Sequence, residues 1–264
     1  RTFFDETGNV QSLRAAILQL AVQGKLTAQW RKAQPDVEPA TELLSRIQAE
    51  KAALVKAKKI KKEKPLPPVD AAEVPFGVPE GWVWCRVGEI LTIGTGSTPQ
   101  KSATEFYDNG IIPWYTSSAT NELFADEPQD YITKLALEKT NCKMFPAGSL
   151  IVALYGQGKT RGQISEILRN GATNQALAVM IFHDNTKPIK EFVKIYFRKI
   201  YNEIRSLAEG GAQPNLNLGK IKSTLIPIPP LPEQHAIVRA VEELLGLCTA
   251  LEEAAGRRDV GLGD

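Results

Sequence analysis

The sequence predicts an α+β protein, in which one mixed globular domain lies between helices at the two ends of the chain. Three observations favour this fold class. Short apolar runs broken by Gly, Pro, Asn and Ser fill residues 82–230, and apolar residues with heptad-like spacing occupy both ends. A proline-rich stretch separates the first helices from the central domain. The 264 residues are enough to bury a large core.

Residues 1–64 are predicted to be a helical region. The apolar residues of its first helix, expected over 10–24, recur at spacings of three and four, which is the narrow seam of a helix that meets another helix. The seam residues are Leu13, Ile17 and Leu20. A second helix is expected to begin at Pro39 and to end in residues 51–64, which hold seven lysines and one glutamate. These lysines fit either a solvated helix end or contacts to phosphate.

Residues 65–81 are predicted to be an extended linker, because closely spaced prolines remove hydrogen-bond donors and restrict their predecessors. The central domain then spans 82–230. It is expected to contain one long helix over 188–209, ended by the glycines at 210 and 211. The expected strands are 82–93, 111–115, 149–155, 175–182 and 223–228.

Residues 231–264 are predicted to form a last helix, with Pro232 in its first turn. It carries a second apolar seam, formed by Ile237, Val241, Leu244 and Leu251. The charges of the two ends are complementary: residues 1–64 hold 13 basic and 7 acidic side chains, and residues 231–264 hold 3 and 7. We therefore expect the two end helices to pair as an antiparallel coiled-coil spacer.

Composition narrows the class of protein. A net charge of only +2 does not fit a general binder of polyanions, so any nucleic-acid contact must be local. Apolar runs are too short for a membrane span, and the first residues lack the core of a signal peptide. Cys85, Cys142 and Cys248 are expected to be reduced thiols in a cytoplasmic protein, with no metal site. The absent initiator Met suggests a processed or excised piece.

Residues 153–160 (ALYGQGKT) suggest nucleotide binding as an alternative function, because they differ from the phosphate-binding P-loop motif only at the first position. Ala153 stands where the tight turn needs glycine, and Gly162 interrupts the helix that should follow. The two histidines belong to no metal or triad pattern, and the dinucleotide, hydrolase and adenine-methylase signatures are absent from the sequence. The sequence therefore favours a non-catalytic binding protein.

Three polar, glycine-bearing loops support binding. They are the first polar loop, 94–101 (GTGSTPQK), the second, 155–163 (YGQGKTRGQ), and the third, 210–217 (GGAQPNLN). Gln, Asn, Arg and Lys are the side chains that read base edges, whereas glycine amides, hydroxyls and Lys suit phosphates. Each loop taken alone is equally consistent with a simple turn.

Taken in order, the motifs resemble the specificity (S) subunit of type I restriction–modification systems. Those at the two ends resemble the conserved helical regions of that family, and those between resemble landmarks of its target recognition domain. The motifs are 13–26 (LRAAILQLAVQGKL), 38–51 (EPATELLSRIQAEK), 61–68, 79–84 (PEGWVW), 87–90 (VGEI), 96–99 (GSTP), 112–114 (IPW), 173–175 (TNQ), 213–215 (QPN) and 226–234 (IPIPPLPEQ).

The resemblance implies a subunit without catalysis or a cofactor of its own, which reads half of a bipartite site in double-stranded DNA. It implies docking of methylase subunits, which use S-adenosylmethionine, and of restriction subunits, which use ATP and Mg²⁺. With one recognition domain where the family has two, the chain is either a half-length subunit that pairs with a copy of itself or half of a longer chain. An interaction scaffold that does not read DNA remains an alternative.

The predicted DNA contacts come from the three loops and the adjoining landmarks. They are Thr95, Ser97, Thr98, Lys101, Tyr115, Ser117, Tyr155, Gln157, Lys159, Thr160, Arg161, Gln163, Asn174, Gln213, Asn215, Asn217 and Lys220.

Overall fold

A computed structural model of the chain describes residues 6–128, 130–156, 158–209 and 215–260. The helices are α1 (Glu6–Val22), α2 (Ala28–Ala33), α3 (Ala40–Lys56), α4 (Val87–Ile90), α5 (Lys134–Lys139), α6 (Lys190–Lys199), α7 (Tyr201–Glu209), α8 (Leu218–Ser223) and α9 (Leu231–Val260). The strands are β1 (Val83–Arg86), β2 (Thr92–Gly94), β3 (Ile112–Tyr115), β4 (Phe124–Ala125), β5 (Asp130–Ile132), β6 (Met144–Phe145), β7 (Leu150–Ala153), β8 (Ile164–Ile167), β9 (Gly171–Thr173), β10 (Leu177–Ile181) and β11 (Leu225–Ile228). The α+β class is therefore confirmed.

The strands form three sheets. A five-stranded sheet has the order β2-β10-β7-β8-β4, a four-stranded sheet has the order β5-β3-β9-β6, and β1 pairs with β11. Strand pairs are antiparallel except β3 with β9 and β4 with β8, which are parallel. Because β1 and β11 are antiparallel neighbours, the chain enters and leaves the β-rich domain at the same place.

The five-stranded sheet is buried on both faces, which explains why its central strands are continuous apolar runs. In β7, Ile151 and Ala153 join a small cluster with Tyr115 and Phe145 of the four-stranded sheet, so this cluster lies between the two sheets. The alternate residues of β7 belong instead to the main core with the helices. Successive side chains of a strand point to opposite faces, so both faces of β7 are covered.

The end helices belong to the same hydrophobic core as the β-rich domain. The main core runs without interruption from Ile17 of α1 through Ile47 of α3 and Phe192 of α6 to Ile237 of α9. In addition, the Nζ of Lys51 in α3 donates to the backbone carbonyls of Gly88 (2.6 Å) and Leu91 (3.0 Å), within and just after α4 of the central domain. The helical region is thus packed onto the central domain and not simply joined to it.

Glu233, in the first turn of α9, connects four parts of the chain. Its carboxylate is fully buried and accepts hydrogen bonds from Trp82 Nε1 (2.9 Å), Thr27 Oγ1 (2.7 Å) and Arg31 Nη1. Arg31 also donates to the carbonyl of Gly24 at 3.0 Å. A buried carboxylate requires such partners, and here they come from α2, from the turn before it and from the start of the central domain.

The helices α1 and α9 lie side by side in opposite directions. Arg14 of α1 donates to Glu252 (2.8 Å) and Thr249 (2.9 Å) near the far end of α9, whereas Arg31, which follows α1, reaches Glu233 at the start of α9. The predicted seam residues Ile17, Ile237 and Val241 are buried, and Leu244 is partly buried against the core.

The other predicted seam residues are not in the helix interface. Leu13, Leu20 and Leu251 are 44%, 37% and 56% exposed, so assigning them to that interface was wrong. The reason is that α1 contacts α6 as well as α9. It therefore buries a broader, rotated face, and Leu18, Ala21 and Val22 are buried beside Ile17.

Several local predictions also need correction. The long helix predicted over 188–209 is two helices, α6 and α7, which are separated at Ile200. The glycines at 210 and 211, expected to end it, lie outside the described residues. The expected strand 82–93 is interrupted by α4, and a short helix that was not predicted, α2, lies between α1 and α3.

One side chain, Arg86, fixes the first half of the proline-rich segment 65–81. The guanidinium of Arg86, only 5% exposed, donates to the carbonyls of Pro67 (2.7 Å) and Pro68 (3.2 Å) and to Glu73 (2.6 Å). A short 3-10 helix, Ala71–Glu73, lies within the segment. The segment is therefore irregular as expected, but it is anchored along β1.

Cys85, Cys142 and Cys248 are buried free thiols, as the sequence suggested. Within the described ranges, no helix combines the length and apolar character that crossing a membrane requires.

Candidate nucleic-acid interface

The strand ends bring the first and second polar loops to one edge of the β-rich domain. In the five-stranded sheet, Gly94 at the end of β2 pairs with Val179, and Ala153 at the end of β7 pairs with Leu177 at the start of β10. The ends of β3 and β9 meet at Tyr115 and Thr173. Only three residues join β9 to β10, so both sheets end at this place. We call this line of strand ends and loops the loop edge.

The first polar loop is fixed to the turn between β9 and β10. Thr95 Oγ1 donates to the carbonyl of Leu177 (2.7 Å), the amide of Ser97 donates to the carbonyl of Thr173 (3.0 Å), and Thr98 Oγ1 donates to Gln175 Oε1 (2.6 Å). A Cβ added at Gly96 would lie 1.8 Å from the Thr173 carbonyl oxygen. Only glycine fits this close approach. The first polar loop and the 173–175 motif therefore form one unit.

The second polar loop joins β7 to β8, which are antiparallel neighbours. Gly156, Gly158 and Gly162 have φ angles of +152°, +58° and +86°, which favour glycine. The chain thus turns back into the same sheet where a P-loop would continue into a helix. This geometry removes the nucleotide-binding alternative for residues 153–160.

Two side chains of α7 hold the second polar loop from outside. The hydroxyl of Tyr201 donates to the carbonyl of Lys159, and Arg205 Nη1 donates to the carbonyl of Gly158 (2.9 Å) and to the Tyr201 hydroxyl (2.6 Å). Both bonds to the loop go to backbone carbonyls, so α7 fixes the path of its main chain. Sequence analysis did not single out Tyr201 or Arg205, since their role depends on the packing of α7.

The predicted contacts of the second polar loop differ in accessibility. Tyr155 and Lys159 are exposed, whereas Thr160, Arg161 and Gln163 are partly buried. The Oε1 of Gln163 is buried and has no hydrogen-bond partner within the described part of the chain. Gln157 lies outside the described residues.

The third polar loop lies largely beyond what the structure describes, and Gln213 is among the omitted residues. Asn215 is exposed. Asn217 caps α8, since its Oδ1 accepts from the amide of Lys220 at 2.9 Å. The Nζ of Lys220 donates to the carbonyls of Leu207 (2.7 Å) and Asn215 (3.2 Å). Lys220 thus links Asn215 to the end of α7, and Asn217 begins α8.

Tyr115 must be removed from the predicted contacts. Its side chain is fully buried between the two sheets, because alternation along β3 turns it inward. Ser117 is partly buried at the start of a 3-10 helix, Ser117–Asn121, that follows β3. Lys101 is exposed at the end of the first polar loop.

Asn174 is partly buried, and its Oδ1 accepts from the amide of Ala176 (3.0 Å), so it shapes the turn between β9 and β10. Gln175 beside it is exposed and was missing from the predicted contacts. The 173–175 motif was the signal that could have identified it.

A buried charge cluster fixes β8, and with it the second polar loop, to α6. Glu166 accepts hydrogen bonds from Lys190 and Lys194, and Lys194 also lies 4.5 Å from the ring centroid of Phe124. Burial opposes ionisation of Glu166, but the two lysines outweigh it, so the pKa of the carboxyl lies below its ordinary value.

Comparison with known proteins agrees with this architecture. The chain is 29% identical over 260 residues to the specificity subunit of the type I restriction enzyme EcoEI of Escherichia coli, and 32% identical over 267 residues to that of EcoAI from the same species. Each match covers 95% of this chain but only 43% and 42% of the relative. The chain therefore spans less than half the length of these curated relatives.

Solved structures share the fold. The HsdS subunit from Thermoanaerobacter tengcongensis aligns over 94% of this chain and 51% of its own, with a TM-score of 0.52 and 18% identity. A structure described as explaining complex assembly and conformational transition of the type I R-M system aligns over 97% and 54%, with a TM-score of 0.55 and 20% identity.

The family model described as "Type I restriction modification DNA specificity domain" matches residues 79–257. This range contains the loop edge, the sheets and most of α9. The chain belongs to the family of type I restriction–modification DNA specificity domains.

Proposed function

We propose that this chain is a non-catalytic DNA-reading component of a type I restriction–modification complex and that it recognises one half of a bipartite target. The observation that carries the proposal is the convergence of the first polar loop, the second polar loop and the 173–175 motif at the loop edge. Base reading needs side chains with paired donors and acceptors on a stiff support, and the loop edge offers Arg161, Gln163 and Gln175 next to rigid strand ends.

The size of the loop edge fits a short stretch of duplex. Five neighbouring strands about 4.8 Å apart span roughly 19 Å. At about 3.4 Å per base pair, this corresponds to roughly five or six base pairs. Tyr155, Lys101 and Lys159 are exposed around this line, where they are suited to sugar and phosphate contacts. One domain of this size would therefore read one half-site.

The helices would supply the rest of the assembly. We propose that α1 and α9 form an antiparallel coiled-coil spacer that leads to a second recognition domain. That second domain would belong either to a second copy of this chain or to the other half of a longer one. In support, Leu13, Leu20 and Leu251 are exposed apolar side chains on these two helices, where helices of the second half could cover them. Methylase subunits carrying S-adenosylmethionine and restriction subunits carrying ATP and Mg²⁺ are the proposed partners, in the cytoplasm.

Arg161→Ala tests the DNA-reading proposal in a methylation assay with the reconstituted methylase complex. If Arg161 reads a base edge, discrimination at one position of the site falls by about 1–3 kcal/mol, or about 5- to 150-fold, as sequencing of methylated sites would show. Arg169→Ala is the matched control. It removes the same charge beyond the opposite end of β8, where Arg169 pairs with Glu127 at 2.9 Å.

Unchanged activity and site choice in Arg161→Ala would remove the second polar loop from base reading. If variants in the first polar loop and at Gln175 also left site choice unchanged, the scaffold alternative would replace the proposal.

A further inference from the structure

A cavity of about 370 Å³ lies beside the second polar loop, and two of the predicted DNA contacts, Lys159 and Gln163, are in its lining. Its walls come from the second polar loop, from residues 120–123, from the junction of α6 and α7 and from α1. Leu18, Ile164 and Phe197 form apolar parts of the lining. The volume lies within the range of small-ligand sites.

Two cations face this cavity, Lys159 from the loop and Arg198 from α6. Within the described residues, Arg198 has no hydrogen bond and no ion pair, although Glu122 lines the same cavity. The charged group that bears on Arg198 is another guanidinium, Arg14, which is itself engaged by Glu252. Burial and the charge of Arg14 lower the pKa of Arg198, although an arginine stays charged at neutral pH.

The chemistry of the cavity therefore favours an anion. Arg198 is partly buried and is repelled by the like charge of Arg14, so an anion bound to Arg198 relieves both the repulsion and the lost hydration. The amide of Gln163 lines the cavity with a buried oxygen that has no partner among the described residues. Because this oxygen is an acceptor, it can be joined to an anion only through a bridging water.

The position of the cavity identifies the source of the anion. Strand β4 is parallel to β8, so residues 120–123, just before β4, lie at the same edge as Gln163, just before β8. The cavity is thus the β4 end of the loop edge, and the first polar loop, after β2, is at the other end. A duplex that lies along the loop edge reaches the cavity with its backbone.

We propose that this cavity binds a backbone phosphate of the DNA, held by Arg198 and Lys159. The inference rests on the proposed function and deepens it, because it assigns a sequence-independent anchor next to the loop that reads bases. The guanidinium offers paired donors to two oxygens of a phosphate, and the ammonium adds a further charge-assisted donor.

The experiment measures binding of the methylase complex, containing this chain, to two 30-base-pair duplexes of unrelated sequence between 50 and 200 mM salt. Arg198→Ala is expected to weaken binding by the same factor on both duplexes, roughly tenfold at 50 mM salt, and to reduce the slope of log K against log salt by about 0.9. Lys159→Ala, in an exposed position of the loop, is expected to act in the same direction. Arg169→Ala again serves as the charge-matched control.

Each outcome is decisive. A slope in Arg198→Ala and Lys159→Ala no different from that in Arg169→Ala would overturn the inference while DNA binding by the wild-type complex stands. A loss of complex assembly with the methylase, at an unchanged slope for the complexes that form, would assign the cavity to an acidic protein group and also overturn it. If the wild-type complex binds neither duplex nor its genomic sites, the proposed function fails, and the inference fails with it.

Discussion

Replacing Glu233 by Gln is expected to loosen the attachment of the end helices to the central domain. The carboxylate receives three hydrogen bonds in a fully buried position, two on Oε1 from Thr27 and Arg31 and one on Oε2 from Trp82. Glutamine has nearly the same shape but only one acceptor oxygen. Its NH₂ group would face the indole N–H of Trp82, which is a donor as well.

The cost can be estimated bond by bond. A buried N–H left without a partner costs about 1–3 kcal/mol. The bond to Arg31 changes from charge-assisted to neutral on the acceptor side, which removes roughly another 1 kcal/mol. We therefore expect Glu233→Gln to reduce the free energy of unfolding by about 2–4 kcal/mol.

Urea unfolding followed by tryptophan fluorescence measures this loss, because Trp82 is one of the partners. The control is Glu252→Gln, which also removes one carboxylate charge from α9. Glu252 pairs with Arg14 at 2.8 Å in a partly exposed position, so its loss should cost about 0–1 kcal/mol. If Glu233→Gln proved as stable as Glu252→Gln, the account of Glu233 as the joint between these segments would be refuted.

Two further perturbations follow from the loop edge and its support. Gly96→Ala should lower the free energy of unfolding in urea by about 1–3 kcal/mol and reduce methylation, because its Cβ would press on the Thr173 carbonyl. Gly77→Ala is the control, since a Cβ there meets no atom within 4 Å. Equal effects of the two variants would contradict the role assigned to Gly96. Since the pKa of Glu166 is lower in the folded chain, its stabilising contribution is present above the ordinary value of 4.5 and is lost as pH falls through the folded value. Glu166→Gln should therefore be less stable than wild type at pH 7 and lose less stability on acidification to pH 3.5. If the stability of the variant and of the wild type fell in parallel with pH, the stabilising role of the Glu166 carboxylate would be contradicted.

The sequence predicts those parts of the fold in which a continuous run of residues is buried on all sides. The apolar run at 149–155 predicted β7, since both faces of that strand are covered. Strands β4 and β6 have only two residues each, which is too short for any periodicity. Leu13 and Leu20 were misassigned because spacing shows that a helix has an apolar face but not which neighbours cover it.

The candidate site was predictable in composition and not in arrangement. Glycines and polar residues marked the loops, but their common edge depends on strand order and on the two parallel pairs, which join segments far apart in sequence. Tyr115 looked accessible beside polar residues, and only the second sheet shows that it is buried. Arg198 gave no sequence signal, since its position follows from the packing of α6 beside α1 and the second polar loop.

The pairing of β1 with β11 makes everything between residues 87 and 224 a closed insertion in a helical frame. Adjacent strands are about 4.8 Å apart, so the chain departs from the frame and returns to it at nearly one point. Loops can lengthen, shorten or exchange side chains within that insertion while the β1–β11 ladder and the packing of α6 against α1 and α9 stay unchanged. A change in what the loops read therefore need not alter how the helices assemble, and the two properties can diverge independently.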